Sequence, residues 1–380
     1  MHFICKTNSN VHMKILEVSF HLASGGAERF VVDLSNELAK SNDVTVLALR
    51  DDSVNPEVRN FYKGDLAANV HYECLGLKDG LRPSMWWKIW KAIRRHNPDV
   101  VHYHGGPMPY WMMVPMMFSS RSIKFFQTIH SDIHKRYDRG LYPLMSKTLG
   151  KRGVIRYVAL SDTNYKELKK LYPMCKSTGI VNGRAPQVPT PAYEEVKNEL
   201  LQYRNTSDTK LFLHVARCHE VKNQRRLIAN FNRLVENGAD AQLLIVGDGF
   251  DSELGNELKS IAGRNVHFLG TRKNISDYHL CADAFCLSSD YEGMPITLLE
   301  ALLCGTPVCS TPVCGAIDVI HDDENGVLAK GYSDLEYLEA LERMYSNLAK
   351  YKTYAQSQKD DSAYTIKVCA EKYLEFFKLK

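Results

Sequence analysis

The feature that most constrains this 380-residue chain is an alternation that runs along most of its length. Short, continuously apolar segments are separated by amphipathic stretches of helical period. In the first half the apolar segments fall at 14–20, 44–49, 100–104, 123–128, 157–160 and 179–181. In the second half they fall at 211–215, 242–246, 266–269, 284–287 and 307–310. Between them, 27–40, 224–237, 296–303 and 334–347 read as helices. A strand apolar on both sides must be covered on both faces, and helical crossovers between such strands make the sheet parallel. Two such series predict an α/β chain of two doubly wound domains. Ligands in such sheets sit beyond the carboxyl ends of the strands.

The boundary is expected near 183–195. Asn182-Gly183 reads as a turn, and 185–192 hold three prolines in eight residues, a stiff linker. The division is 1–185, 186–360 and a final helical segment, 361–380. Charge follows it. Residues 1–185 carry 27 Lys+Arg against 16 Asp+Glu, net +11, and the rest is −7, giving +4 overall. A chain 44% hydrophobic and 24% charged is an ordinary soluble composition, which excludes collagen-like and disordered classes. The longest apolar run, 108–118, is interrupted by Pro109 and Pro115 and is shorter than the roughly 20 residues of a membrane span. The first dozen residues lack the basic-then-apolar pattern of a secretion signal and read as an extension upstream of Met13. None of the ten cysteines forms a CxxC, and Cys304, Cys309 and Cys314 fit no common zinc spacing. Reduced, buried thiols in a cytoplasmic protein are expected.

The loops after the strands hold the candidate chemistry. Strand one runs into His21-Leu-Ala-Ser-Gly-Gly-Ala-Glu-Arg29, where Gly25 and Gly26 open a helix whose N–H groups attract anions. A plain turn reads equally well, and the dinucleotide pattern GxGxxG is absent. After 211–215 come Arg217 and Lys222, two cations suited to a diphosphate. Gly247-Asp248-Gly249 and Gly270-Thr271-Arg272 mark two further strand exits. The densest segment is Ser289-Asp-Tyr-Glu-Gly-Met-Pro-Ile-Thr-Leu-Leu-Glu300. Pro295 suits the first position of a helix, leaving the N–H groups of Ile296 and Thr297 free for a phosphate. Glu292 and Glu300 invite a glycosidase reading, but eight residues of helix rise about 12 Å, and glycosidase pairs work about 5–10 Å apart. Two separate contacts on one extended ligand is the simpler picture. In the first half, Val101-His-Tyr-His-Gly-Gly106 and Thr128-Ile-His-Ser-Asp132 follow strands, and His130 lies at such an exit. No His, Cys and Asp grouping has metal-ligand spacing, and no DxD pair follows a strand, so no essential metal or cofactor is expected.

Together these segments resemble the retaining glycosyltransferases of the GT-B fold, glycosyltransferase family 4. The resemblance runs from about Met13 to Asn347 and is most specific at Glu292-x7-Glu300, with Ser24-Gly-Gly-Ala-Glu-Arg29 and Asn182-Gly183 in register. It implies two Rossmann-like domains facing a cleft, an acceptor-binding 1–185 and a nucleotide-sugar-binding 186–360, with the last helix returning to the first domain. It implies that Arg217 and Lys222 grip the donor diphosphate. Glu300 would hold the ribose hydroxyls, and Glu292 and His130 would contact the donor sugar. The segment Gly293, Met294, Pro295, Ile296 and Thr297 would complete the phosphate site. Gly247, Asp248, Gly270 and Thr271 would lie near the nucleotide, and Gly25 and Gly26 near the phosphates or acceptor. The implied reaction is metal-independent transfer of a hexose or N-acetylhexosamine with retention, from a UDP-sugar or, second, a GDP-sugar. One departure concerns the diphosphate loop, where Ala216 stands in place of the family's glycine before Arg217.

The acceptor side is less defined. Surface-polysaccharide assembly (capsule, O-antigen or exopolysaccharide) with a saccharide or lipid-linked acceptor is the context the resemblance implies. Trp86-Trp-Lys-Ile-Trp-Lys-Ala-Ile-Arg-Arg95 mixes aromatic and basic residues, and 110–118 is strongly apolar. Such segments suit an anionic bilayer, here the inner face of the cytoplasmic membrane, although the same tryptophans suit a core. No nucleic-acid-binding signature is present. The alternatives are an isomerase on the same fold, such as a UDP-N-acetylglucosamine 2-epimerase, and an inactive nucleotide-sugar-binding protein.

Overall fold

The computed structural model describes residues 12–78, 80, 82–105, 108–130, 142–359 and 362–379. The expectations for the first eleven residues, Gly106 and Ser131-Asp132 lie outside these. Among the described residues thirteen strands form two sheets, parallel throughout. The first contains β1 (Lys14–Ser19), β2 (Asp43–Arg50), β3 (His71–Leu77), β4 (Val100–His104), β5 (Lys124–Ile129), β6 (Ile155–Ala159) and β7 (Ser177–Gly179). Its order is β3-β2-β1-β4-β5-β6-β7. The second contains β8 (Lys210–Val215), β9 (Ala241–Val246), β10 (Val266–Gly270), β11 (Ala284–Leu287), β12 (Val308–Ser310) and β13 (Gly326–Leu328), in the order β10-β9-β8-β11-β12-β13. Each order reverses once, between β1 and β4 and between β8 and β11. A crevice opens there at the carboxyl ends, because the crossovers on either side leave for opposite faces.

Coverage on both faces follows from composition. Every residue of β4 and β9 is buried. One face of the first sheet packs Leu16, Val18, Val101 and Tyr157 against Ile89 and Trp111. The other packs Ile15, Val44 and Phe126 against Phe30, Val31 and Leu34 of the helix Gly26–Leu38. Local signals agree with this packing. The helix Asp334–Ser346 opens on a capping box, Ser333 Oγ accepting from Glu336 N–H and the Glu336 carboxylate accepting from Ser333 N–H. The helix Ile366–Lys378 returns to the first sheet, where Tyr373, Phe376 and Phe377 join the Phe126 core.

Several local expectations are corrected. β3 and β13 have no counterpart in the sequence reading; both are edge strands, and β3 is only half-buried. The segment Met108–Phe118 is one helix despite its prolines. Asn182-Gly183 is not a turn but part of an extended crossing between the domains. A methyl group at Gly183 would stand 2.5 Å from the Thr365 carbonyl oxygen and 2.7 Å from Ile366 Cα. The glycine is needed for close approach of the returning crossing. Among the described residues no disulfide joins two cysteines, and Cys175, Cys286, Cys304, Cys309 and Cys369 are buried.

Candidate active site

The loop after β8 and the loop after β11 meet at the second switch point. Asp290 N–H donates to the Val221 carbonyl at 2.9 Å, and Ser288 Oγ donates to the Lys222 carbonyl at 2.8 Å. Arg226, nearly buried, donates to the Ser288 carbonyl at 2.9 Å. These bonds bring Lys222 to Glu292. Lys222 Nζ lies 2.5 Å from Glu292 Oε1, which also accepts from Ser289 Oγ at 2.7 Å. Beneath them lies buried His214, whose Nδ1 is 2.9 Å from the Cys286 carbonyl. Burial, with Lys222 nearby, pushes its imidazole down to about 4.

Arg217 is exposed and forms no ion pair among the described residues. It stands within electrostatic reach of Glu28 on the first domain. Burial raises the Glu28 carboxyl, and Arg217 pulls it partly back. Three strand exits are tied together around Arg217. Cys218 N–H donates to the Asp248 carbonyl at 2.8 Å, and Gly247 N–H to the Gly270 carbonyl at 3.0 Å. A methyl at Gly247 would stand 2.0 Å from the Ala216 oxygen, so this loop contact requires glycine. Asp248, Gly270 and Thr271 are exposed along the same rim.

The helix Ile296–Leu303 has the bounds read from the sequence, but Pro295 precedes it instead of opening it. Pro295 is its cap, with φ −70° and ψ 117°. The N–H groups of Ile296 and Thr297 still fall in the first turn, where the helix gives them no partner. Gly293, Met294 and Pro295 are buried beneath. Gly26 faces this turn from the first domain; a methyl there would come within 3.3 Å of Ile296 Cγ1. Gly25 caps the helix Gly26–Leu38, and a methyl on it would meet Glu28 Oε2 at 2.3 Å. The two loops singled out in the two halves of the sequence therefore touch. Glu300 lies deeper, buried against Arg184, in a network separate from that of Glu292.

His130 stands at the exit of β5 and is joined to a network the sequence reading missed. His104 Nδ1 is 2.9 Å from His130 Nε2, and His104 Nε2 is 2.8 Å from Glu17 Oε2. His102 Nδ1 lies 2.9 Å from the same carboxylate oxygen. Burial alone would raise the Glu17 carboxyl, but His102 and His104 hold it down to about 2. Burial lowers His104 to about 4 and His130 well below the ordinary imidazole range. An ionised Glu17 then accepts from His104 Nε2–H, the bare His104 Nδ1 accepts from His130 Nε2–H, and His130 Nδ1 is left as an acceptor. Glu17, His102 and His104 are also near enough to one another to hold a metal ion. Their signal in the sequence is the His-x-His of β4. Residues two apart share a face of a strand, and here that face meets Glu17 on neighbouring β1.

The comparisons agree with the fold. Residues 24–184 match Glycosyltransferase Family 4, and residues 197–361 match Glycosyl transferases group 1. An uncharacterized glycosyltransferase, MJ1059 of Methanocaldococcus jannaschii, is 29% identical over 70% of each chain. The GalNAc-alpha-(1->4)-GalNAc-alpha-(1->3)-diNAcBac-PP-undecaprenol alpha-1,4-N-acetyl-D-galactosaminyltransferase of Campylobacter jejuni is 24% identical over 87% of this chain and 88% of its own. Among solved structures, Anabaena Alr3699/HepE in complex with UDP and glucose superposes with a TM-score of 0.77 at 18% identity, covering 96% of this chain and 99% of that one. The protein is a glycosyltransferase of the GT-B fold and belongs to glycosyltransferase family 4.

Proposed function

We propose that the protein transfers a hexose or N-acetylhexosamine, with retention, from a nucleotide diphosphate-sugar to a saccharide on a lipid carrier. A UDP-sugar is the favoured donor and a GDP-sugar the second candidate. The pathway proposed is assembly of a surface polysaccharide. The observation that carries this reading is the convergence of Arg217, Lys222 and the Ile296–Leu303 helix start at the β8/β11 switch point, facing Gly25-Gly26.

A diphosphate there meets two cations and free N–H groups, which stabilise charge where it develops on the leaving group. These residues supply the neutralisation without a metal ion. In the transfer, the bond from the anomeric carbon to the phosphate oxygen breaks and the bond to the acceptor oxygen forms on the same face. The acceptor hydroxyl proton passes to the departing phosphate. Glu292, bound to Lys222 and Ser289, positions the lysine and contacts the donor sugar, while His130 Nδ1 accepts from a donor hydroxyl. Domain roles follow, with 186–360 holding the nucleotide and 1–185 the acceptor.

A lipid carrier fits one surface of the first domain. The helices Pro83–His96 and Met108–Phe118 lie side by side, Trp86 donating to the Tyr110 carbonyl and Trp90 to the Phe118 carbonyl. Trp87, stacked on Trp90, is 54% exposed, and Met117 and Phe118 are exposed by 64% and 67%. Exposed Lys88, Lys91, Arg94, Arg95 and Arg121 border them. Aromatic side chains among cations suit peripheral binding to an anionic leaflet. Among the described residues no helix is long and apolar enough to cross a membrane.

The test is a transfer assay with UDP- and GDP-sugars and an undecaprenyl-diphosphate saccharide, following nucleotide release and reading the new anomeric centre by NMR. An α-donor giving an α-linked product is expected. A β-linked product overturns retention. Conversion of the donor with no acceptor present favours the isomerase reading.

A further inference from the structure

The two chain segments that cross between the domains run side by side, and Arg184 sits where they meet. Its N–H donates to the Tyr364 carbonyl at 2.9 Å, and its carbonyl accepts from Ile366 N–H at 2.8 Å. Its side chain enters the space between the helices Gly26–Leu38 and Ile296–Leu303. Nη1 donates to Asp33 Oδ2 on the first helix. Nε and Nη2 both donate to Glu300 Oε1 on the second, at 3.0 and 2.7 Å. All three side chains are buried. Asp33 is in turn held by Arg29, whose Nε lies 3.0 Å away and which also pairs with Asp65. Burial opposes the Arg184 charge, but Glu300 and Asp33 more than offset it and hold the guanidinium protonated.

The pairing is one-sided. Both bonds to Glu300 fall on Oε1, and among the described residues no hydrogen bond goes to Oε2. A guanidinium fixes a carboxylate in orientation as well as in place, because its donors form a rigid fork. Anchored on Asp33, that fork leaves one oxygen of a nearly buried carboxylate as an unused acceptor.

We propose that Arg184 is the positioning residue that sets ribose recognition. It holds Glu300 so that Oε2 accepts from a ribose hydroxyl of the donor nucleotide, and through Asp33 it ties this contact to the first domain. The inference rests on the reading of Glu300 as the ribose contact. Its chemical consequence is discrimination, since a hydrogen bond to a fixed, charged acceptor is lost when the nucleotide lacks the hydroxyls.

The test measures, by calorimetry, the affinity of whichever of UDP, GDP and ADP the wild type binds, and of its 2′,3′-dideoxy form. The wild type should prefer the ribonucleotide by about tenfold or more. Glu300→Gln should reduce that preference to within about threefold. Arg184→Lys keeps the charge, but a single ammonium cannot span both carboxylates, and it should lose the preference to the same extent. Arg184→Gln, which removes the charge, is the second variant should the first not fold, and a melting curve confirms folding of each. A purely structural Arg184 would weaken both nucleotides alike and leave the ratio at the wild-type value; that result overturns the inference. If Glu300→Gln keeps the wild-type ratio, or no nucleotide binds, the underlying ribose reading fails and the inference with it.

Discussion

Acid should destabilise this protein well before its carboxylates protonate. Three imidazoles are buried and held neutral, His104 in the first domain and His214 and His279 in the second, and the part-buried His130 joins them. Burial is the leading cause at all four, lowering His104 and His214 to about 4, His279 to about 3 and His130 well below the usual range. In the unfolded chain each titrates near 6.5. As pH falls through that value, the unfolded chain binds protons that the native protein refuses. Stability is therefore lost between pH 6.5 and the native values. At pH 5 His104, His214 and His279 each cost about 2 kcal/mol, or about 4 kcal/mol in the second domain, against a typical total of roughly 5–15 kcal/mol. Glu28 and Asp318, raised by burial, act in the opposite sense, one in each domain. Glu17, held at about 2, adds a further loss as pH falls below 4.5. Thermal unfolding followed by circular dichroism from pH 7.5 to 5 should show a Tm that turns down below 6.5 and drops by about 10 °C. His279→Leu should about halve the second domain's share, because both His279 ring nitrogens lack partners, leucine removes that titration and His214 remains. A Tm independent of pH between 7 and 5 would refute the assignment of neutral buried imidazoles.

Other consequences can be measured directly. Gly247→Ala drives a methyl group against the Ala216 backbone, shifting Arg217; donor kcat/KM should fall by about a hundredfold in steady-state assays. Glu292→Gln releases Lys222 and should lower kcat by about a hundredfold, with a smaller change in donor KM. In vesicle flotation, the wild type should bind phosphatidylglycerol-containing vesicles and leave phosphatidylcholine ones. Trp87→Ala with Phe118→Ala should abolish that binding without lowering Tm.

What the sequence could show was set by how local its signals were. Strands apolar on both sides declare themselves, so the central strands of both sheets were placed to within about two residues. β3 and β13 were not, because an edge strand is half-exposed or too short to form an apolar run. Loops that carry chemistry on contiguous residues, such as 217–222 and 289–300, were legible as segments, and the structure brings Lys222 to Glu292. Contacts assembled from distant segments were not legible. Glu17 meets His104 across 87 residues, and Arg184 meets Asp33 across 151. Asn182-Gly183 has the composition of a turn, and only the Thr365 backbone beside it shows why glycine is there. The tryptophans divide between the two readings considered. Trp86 and Trp90 anchor one helix to the next, while Trp87 faces outward.

The most direct test of the account is calorimetric titration of nucleotide diphosphate-sugars into the wild-type protein and into Lys222→Ala. The account predicts that one nucleotide class binds the wild type, and that the substitution weakens it by about tenfold or more at an unchanged Tm. Equal affinity in both proteins, or no binding by the folded wild type, would contradict a donor diphosphate held at the β8/β11 switch point.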